Sequence, residues 1–265
     1  MDLLKKVGSK APQLEIEEGQ EWLHRVYEPR QSQEEVDIFV AIDGGSTKTA
    51  GLIFDVKTLV DNFDDQFSTQ YLIPSVSSLV PHSNDIESKG RELVENLEST
   101  IINLDDRADA IFTKARLLRG PKHFNSENKE NKLGSSGQKT TDPTYYYNLY
   151  DFLGYGVLVK YWSSVPSKVR VRLSASLPPD DTSKFNIRRF TSNLQPFKWT
   201  HKPSGISIEF SFMGLHTMTE PEAAIKGYIN SVEMDTPKNI LHIEGGGRSI
   251  GAELLHNGRS MDKGQ

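Results

Sequence analysis

Two glycine-rich segments, residues 42–49 and 243–249, contain the residue types best suited to binding an anion. The first reads IDGGSTKT and the second IEGGGRS, and apolar runs flank each of them. This pattern predicts a strand, a tight turn and a return strand in both places. Glycines at a hairpin tip let backbone N–H groups approach an anion closely. We therefore predict that two hairpins grip the phosphates of a nucleotide from two sides.

The first hairpin combines an acidic residue with glycines, hydroxyls and a cation. Asp43 opens the turn, where a carboxylate can hold a divalent cation, usually through water. The candidate phosphate-binding residues are Gly44, Gly45, Ser46, Thr47 and Lys48. The segment lacks the Walker A spacing and joins two strands, so it is neither a P-loop nor a Rossmann fingerprint. An ordinary Asp-Gly hairpin is the structural alternative.

The second hairpin carries three consecutive glycines, which are unexpected in a strand because each one weakens it. Glu244 is a second candidate metal ligand, in the place that Asp43 has in the first hairpin. The candidate phosphate-binding residues are Glu244, Gly245, Gly246, Gly247, Arg248 and Ser249. A flexible hairpin or a bulge is the alternative.

Glu220 is the candidate catalytic carboxylate. It directly precedes Pro221, and proline at a first helical position leaves the preceding carboxylate at the mouth of the helix. There it either interacts with the helix dipole or orients a water for attack on a terminal phosphate. Glu222 competes for the same role.

Composition restricts the class of protein. The 265 residues have a formal net charge of −5, which gives no general attraction to nucleic acid or to anionic membranes. The absence of cysteine excludes disulfides, thiolate nucleophiles and cysteine-ligated metals. No apolar run reaches the roughly 20 residues of a membrane span, so we expect a cytoplasmic protein without membrane or direct nucleic-acid contact.

The remaining pattern predicts a layered α/β domain with a mixed sheet inside and helices outside. Leucine and isoleucine spacing predicts helix over 85–118, and a polar segment at about 119–143, with four lysines, predicts a mobile solvated loop. An aromatic-rich helix is expected over 144–164, with its aromatic face in the core. The other expected elements are strands near 70–80, 168–175 and 205–212, and helices over 182–193 and from Glu220 to about 232.

Taken together, these motifs resemble the actin-like ATPase superfamily, which has a ribonuclease H-like fold and includes actin, heat-shock chaperones and sugar kinases. In that superfamily D-x-G-[ST] and D-x-G-G-[GT]-[ST] hairpins face each other, and an E-P pair often lies between them. Residues 43–46, 244–249 and 220–221 match these positions. The closest similarity is to the ParM/StbA plasmid-segregation proteins, through VRVRLSASLPP at 169–179 and the Pro74-Ser75 segment.

The resemblance implies ATP and Mg²⁺ between the hairpins, with Asp43 on the hydrated metal and Glu220 orienting water. It also implies filaments of identical subunits that move DNA through a DNA-binding adaptor protein. Glu244 replaces the usual aspartate, Arg248 replaces a small hydroxyl residue, and the usual later aspartate is missing around Gly251. We expect an N-terminal extension (1–35), an actin-like N-terminal domain (36–237) and the start of a truncated second domain (238–265), without the adenine-binding motif.

Two alternatives remain open. The first hairpin also resembles that of BadF-type activator ATPases and N-acetylglucosamine kinases, and Asp180 or Asp181 would then be the base of a small-molecule kinase. In those proteins the second hairpin comes much earlier in the sequence. The other alternative is a non-catalytic binding module with a degenerate half site. The sequence also leaves open a partner-binding helix in the N-terminal extension.

Overall fold

The computed structural model describes residues 29–44, 48–56, 69–74, 77–79, 97–105, 110, 113–119, 129–130, 139–231, 239–245, 250–257 and 259–260. Most of the N-terminal extension and both hairpin tips, 45–47 and 246–249, lie outside the described residues. The side chains of Lys48 and Glu244 lie outside the description as well, although both residues belong to strands.

The described chain contains thirteen strands, three α-helices and two short 3-10 turns. The strands are β1 (Glu35–Gly44), β2 (Lys48–Asp55), β3 (Thr69–Pro74), β4 (Ser77–Leu79), β5 (Leu97–Asn103), β6 (Lys114–Arg119), β7 (Lys129–Glu130), β8 (Lys168–Leu177), β9 (Phe197–His201), β10 (Ser207–Thr219), β11 (Asn239–Gly245), β12 (Ile250–His256) and β13 (Arg259–Ser260). The helices are α1 (Pro143–Lys160), α2 (Lys184–Asn193) and α3 (Glu220–Ser231), and the 3-10 turns span Lys139–Thr141 and Pro179–Asp181.

Ten strands form one sheet in the order β3-β2-β1-β8-β10-β9-β5-β6-β4-β7. Strands β1, β8 and β10 run parallel, whereas β2 and β3 extend the sheet antiparallel on one side. From β10 outward through β9, β5, β6, β4 and β7 every pairing is antiparallel. The predicted mixed sheet with flanking helices is confirmed.

Alternating side chains explain why the parallel strands occupy the centre. Val169, Val171 and Leu173 of β8 are buried, whereas the residues between them are exposed. Ile38 and Val40 of β1 are also fully buried. A strand with one apolar face must cover it, and here the cover is a helix.

Helix α1 supplies that cover. It begins where the sequence predicts: Asp142 is the N-cap, its Oδ1 accepts the Thr144 N–H at 2.9 Å, and Pro143 occupies the first turn. Its predicted aromatic stripe is buried, as expected for a core helix, but burial extends around nearly the whole helix. A helix that is apolar on every side is covered on every side.

A buried carboxylate ties α1 to the antiparallel half of the sheet. Asp151 is fully buried and accepts hydrogen bonds from the Ser99 hydroxyl and from the Trp199 indole N–H, the latter at 2.8 Å. Ser99 lies on β5 and Trp199 on β9. The bonds satisfy the acid in an apolar environment, where an unpaired polar group is costly.

Residues 85–118 differ from the prediction. The helix expected there is wrong, because β5 and β6 form an antiparallel pair within this range; residues 81–96 lie outside the described residues. Leu97 and Ile101 have helical spacing, but Thr100, Ile101 and Ile102 form a β-branched run, which favours a strand. Strand β9 was not predicted at all.

The polar segment near 119–143 is only partly described, so its predicted mobility lies largely outside the described residues. Lys129–Glu130 is a short edge strand and Lys139–Thr141 is a 3-10 turn. No helix in the described ranges is long and apolar enough to cross a membrane.

The second hairpin, β11–β12, is confirmed, and with β13 it makes a separate three-stranded sheet. It packs on α3 through Ile225, Leu255 and Ile240. The three-domain division drawn from the sequence stays a prediction.

Close packing inside α1 gives a first testable prediction. A Cβ at Gly154 would lie 2.2 Å from Trp199 Cδ2, whereas Gly227 in the exposed part of α3 has no atom within 4 Å of that position. Gly154→Ala should lower the free energy of unfolding by about 1–3 kcal/mol, since overpacking exceeds the gain in helix propensity. Gly227→Ala should raise it by about 0.5–1 kcal/mol, since only the propensity term acts there.

Urea denaturation followed by circular dichroism measures both changes. Equal effects of the same sign in the two variants would contradict the packing of Gly154 against Trp199.

Candidate functional site

The three parallel strands β1, β8 and β10 end at the same edge of the sheet, which we call the carboxyl edge. Asp43, Ser176 and Thr219 lie at or next to these strand ends. Asp43 of β1 pairs in register with Ser176 of β8, and Ser176 pairs in turn with Met218 of β10. The Ser176 hydroxyl donates to Asp43 Oδ1 at 3.3 Å, and Asp43 is otherwise exposed. Ligands of open α/β sheets bind at such an edge.

Glu220 lies one residue beyond this edge. Helix α3 begins directly after β10, and the Thr219 hydroxyl caps it by accepting the Glu222 N–H at 3.1 Å. The competing Glu222 instead pairs with Lys226 one turn along the same helix at 2.6 Å. Of the two acids, Glu220 is therefore the one placed at the carboxyl edge.

Lys139 brings a positive charge to Glu220. Its ammonium forms an ion pair with Glu220 Oε1, and the side chains of the pair are 15% and 24% exposed. The sequence predicted that the lysines of the polar segment would be solvated. For Lys139 this is wrong, because the 3-10 turn before α1 folds it back onto α3.

Asp181 fixes that turn. It is fully buried, and it accepts the Lys139 backbone N–H at 2.6 Å and the Thr140 hydroxyl at 3.1 Å. Burial raises the pKa of the Asp181 carboxyl, although these hydrogen bonds and the charge of Lys139 oppose the shift. An acid bound in this way is occupied structurally, which leaves it poorly placed to act as the substrate base of a kinase.

Tyr145 lies beneath the first hairpin. A Cβ on Gly44 would come within 2.5 Å of the Tyr145 ring, so only glycine fits above it. The tyrosine is 1% exposed, and its hydroxyl has no hydrogen-bond partner among the described residues. Such a buried group calls for an explanation, and a bound ligand or water is a common one.

The surroundings of Tyr145 are strongly acidic. Burial raises the pKa of its hydroxyl far above the usual value, and the neighbouring Tyr146, Asp43, Glu220 and Asp181 add to the shift in that order. The hydroxyl therefore stays protonated and can donate a hydrogen bond. Three carboxylates from β1, α3 and the turn after β8 thus influence one point at the carboxyl edge.

The described residues contain no group of three or more acids or histidines close enough to hold a metal ion together. Asp43 can still hold a hydrated cation through water, because a single exposed carboxylate is sufficient for that. This fits a magnesium ion that keeps most of its own water ligands.

The position of the second hairpin follows from the packing of its strands β11 and β12. Ile225 of α3 contacts Leu255 and Ile240, so the helix that begins at Glu220 also supports β11–β12. Leu241 and Ile243, on the opposite face of β11, are 64% and 66% exposed. The hairpin tip, residues 246–249 with Arg248, lies outside the described residues.

Asp43 and Gly44 lie at the end of β1, and Glu220 directly follows β10 in the same sheet. That they act in one site stays a prediction. Sequence reasoning missed Lys139, Ser176 and the site-facing hydroxyl of Tyr145. Ser176 had a signal, since it lies near the end of a buried strand, two residues before Pro178. Lys139 had a weaker one, three residues before the helix cap Asp142.

Solved structures share this fold. The pSK41 ParM protein in its apo form matches with a TM-score of 0.58 at 14% identity, over 85% of this chain and 64% of that one. An archaeal actin homologue matches with a TM-score of 0.59 at 13% identity, over 84% and 59%. Bacillus thuringiensis ParM with ATP matches with a TM-score of 0.59 at 12% identity, over 84% and 58%.

The chain has the actin-like fold. No family model matches the sequence, and no curated protein matches it at a significant level. At these identities the likeness shows the actin-like fold alone, and the chain spans 58 to 64% of the length of these three proteins. The carboxyl edge described above belongs to the part of the actin-like fold that this chain contains.

The unpartnered hydroxyl of Tyr145 gives a second prediction. Tyr145→Phe should leave the free energy of unfolding unchanged or raise it by up to about 1 kcal/mol, because it removes a buried polar group without a partner. Tyr150 in the same helix is the control, since its hydroxyl donates to the Asn193 carbonyl at 3.0 Å. Tyr150→Phe should lower the free energy of unfolding by about 1 kcal/mol.

Chemical denaturation of both variants provides the measurement. A clear loss of stability in Tyr145→Phe would show that its hydroxyl already has a partner in the free protein.

Proposed function

We propose that this chain forms the phosphate-binding part of an actin-like, ParM-type nucleotide-binding protein that takes ATP with Mg²⁺. The observation that carries the proposal is the arrangement at the carboxyl edge: Asp43 pairs in register with Ser176, Gly44 packs on Tyr145, and Glu220 directly follows β10. The actin-like fold supports it, and Bacillus thuringiensis ParM has been solved with ATP, ADP and AMPPNP.

Each candidate residue has a role that follows from its chemistry. Asp43, oriented by the Ser176 hydroxyl, holds the hydrated cation. The backbone of Gly44 and Gly45 approaches the phosphates, while Ser46, Thr47 and Lys48 supply hydroxyls and a positive charge. The second hairpin contributes Glu244 near the metal and the segment from Gly245 to Ser249 at the phosphates. When bound, the magnesium ion neutralises phosphate charge.

Glu220 orients the attacking water. It lies at the start of α3, directly beyond the carboxyl edge, with one carboxylate oxygen engaged by Lys139. The Glu220 carboxylate accepts a hydrogen bond from the water, which directs a lone pair of the water oxygen toward a terminal phosphate. Positioning of this kind supplies much of the catalysis in phosphoryl transfer.

In the intact protein, hydrolysis times the growth and collapse of a filament of identical subunits. The filament moves DNA through a DNA-binding adaptor, which agrees with a net charge of −5 that gives the chain no general affinity for DNA. These finer features, together with the cytoplasmic location, rest on the resemblance to ParM proteins. The actin-like fold supports them.

Binding of magnesium ATP is the direct test. We expect this chain to bind weakly and to turn over little, since the proposed contacts involve the phosphates and the metal. Asp43→Asn should weaken the affinity about tenfold, because a tenfold change corresponds to the loss of about 1.4 kcal/mol of binding energy. Asp37→Asn is the matched control: Asp37 lies on the same strand but pairs with Arg170 away from the site.

Isothermal titration with and without EDTA measures these affinities, and released phosphate measures turnover. An affinity for ATP that changes neither with EDTA nor with Asp43→Asn would contradict the metal role of Asp43. Phosphate release at an ordinary ATPase rate would contradict the expectation of little turnover.

Self-association is tested separately. Light scattering of the chain with magnesium and AMPPNP should exceed the signal with magnesium and ADP, because the terminal phosphate favours the assembling state. Equal scattering in the presence of demonstrated nucleotide binding would contradict filament formation and leave nucleotide binding in place.

A further inference from the structure

Lys139 is held at the carboxyl edge by its side chain. It lies at the end of the polar segment, yet its side chain is only 15% exposed and its ammonium contacts Glu220. A solvated surface lysine normally keeps its ammonium in water, since holding a long side chain in one geometry costs conformational entropy. The placement of Lys139 at the carboxyl edge therefore points to a local role.

The backbone of Lys139 is held as firmly as its side chain. Its N–H donates to Asp181 at 2.6 Å, and the next residue, Thr140, donates its hydroxyl to the same buried carboxylate. Tyr146 of α1 adds a bond from its hydroxyl to the Thr140 carbonyl at 2.8 Å. The turn that carries Lys139 is thus fixed to the core, which reduces the cost of ordering it when a ligand binds.

The Lys139 ammonium has more N–H donors than its ion pair with Glu220 uses. A lysine ammonium carries three N–H groups. Within the described part of the chain, Glu220 is the one partner of the Lys139 ammonium. Two N–H groups remain for a ligand next to Glu220, and lysine binds phosphate as a compact point charge.

The charge at this edge requires such a cation. Asp43, Glu220 and Asp181 all act on the Tyr145 hydroxyl. A polyphosphate brought to this edge would meet three negative groups. Lys139 is a positive group that pairs with Glu220 and also acts on Asp181. Like charges repel, so a cation beside Glu220 lowers the cost of bringing phosphate to this edge.

We propose that Lys139 bridges Glu220 and the terminal phosphate of the bound nucleotide. The inference rests on the proposed function and names the residue that senses the third phosphate of that site. The ammonium donates one hydrogen bond to Glu220 and another to a phosphate oxygen, so that the water-orienting carboxylate and the reacting group are held at a fixed separation. ATP then has a contact that ADP lacks.

The test compares AMPPNP with ADP, each with magnesium, in titrations of the full chain. Lys139→Met should weaken AMPPNP binding about tenfold and ADP binding less than twofold. Lys139→Arg should keep most of the preference for AMPPNP, since it retains the charge and several donors. Glu220→Gln should leave AMPPNP binding equal or tighter, because it frees the ammonium and removes a repelling charge.

Lys226→Met is the matched control. It breaks another lysine–glutamate pair of α3, with Glu222, on an exposed part of the helix away from the carboxyl edge. Both nucleotides should bind this variant as they bind the unaltered chain. Thermal denaturation of every variant reports whether each one is folded.

The outcomes separate the possibilities. Selective loss of AMPPNP binding in Lys139→Met, with opposite or no change in Glu220→Gln, supports the bridge. Unchanged AMPPNP affinity, or equal losses for both nucleotides in both variants, overturns it and shows that the ion pair is structural. If the unaltered chain binds neither nucleotide, the proposed function fails and the inference fails with it. If the unaltered chain binds both and Lys139→Met keeps its affinity for AMPPNP, the inference alone fails.

Discussion

The parallel pairing of β1, β8 and β10 is the constraint on which the site depends. Parallel strands send their carboxyl ends to one edge, and the register sets Asp43 beside Ser176 and Ser176 beside Met218. Glu220 follows β10 after a single capping threonine, so its distance from Asp43 is fixed by the sheet and by the start of α3. A one-residue slip of β1 would exchange its buried and exposed faces, and Asp43 would leave the edge.

The residues at this edge are also residues of the core, so site and fold are coupled. Tyr145 packs edge-on against Phe190, with ring centroids 5.8 Å apart, while its hydroxyl has no hydrogen-bond partner within the described ranges. Leaving such a hydroxyl unsatisfied costs about 1–3 kcal/mol. Natural proteins keep local costs of this kind mainly where a ligand or water repays them, which ties the position of Tyr145 to binding more than to stability.

Sequence patterns predicted the elements whose own residues determine them. Alternation in β8, the paired strands that flank both glycine-rich segments, and the Asp142-Pro143 start of α1 each depend on a few residues, and all were confirmed. Strand β5 was mistaken for a helix because Leu97 and Ile101 suit both periods, and pairing with β6 and β9 decided between them. The Lys139–Glu220 pair joins residues 81 positions apart, and no local pattern reports a contact of that range.

Helix α3 links the carboxyl edge to the second hairpin. Glu220 at its first position is held by Lys139, and Ile225, about 7.5 Å further along the axis, packs on Leu255 of the second hairpin. A short helix moves as a rigid body, so a force on the Glu220 carboxylate is transmitted to β11–β12. A ligand that draws Lys139 and Glu220 toward the carboxyl edge therefore also acts on the strands that carry Glu244. One helix and one ion pair thus connect the carboxyl edge with the strands of the second hairpin, although these elements are far apart in sequence.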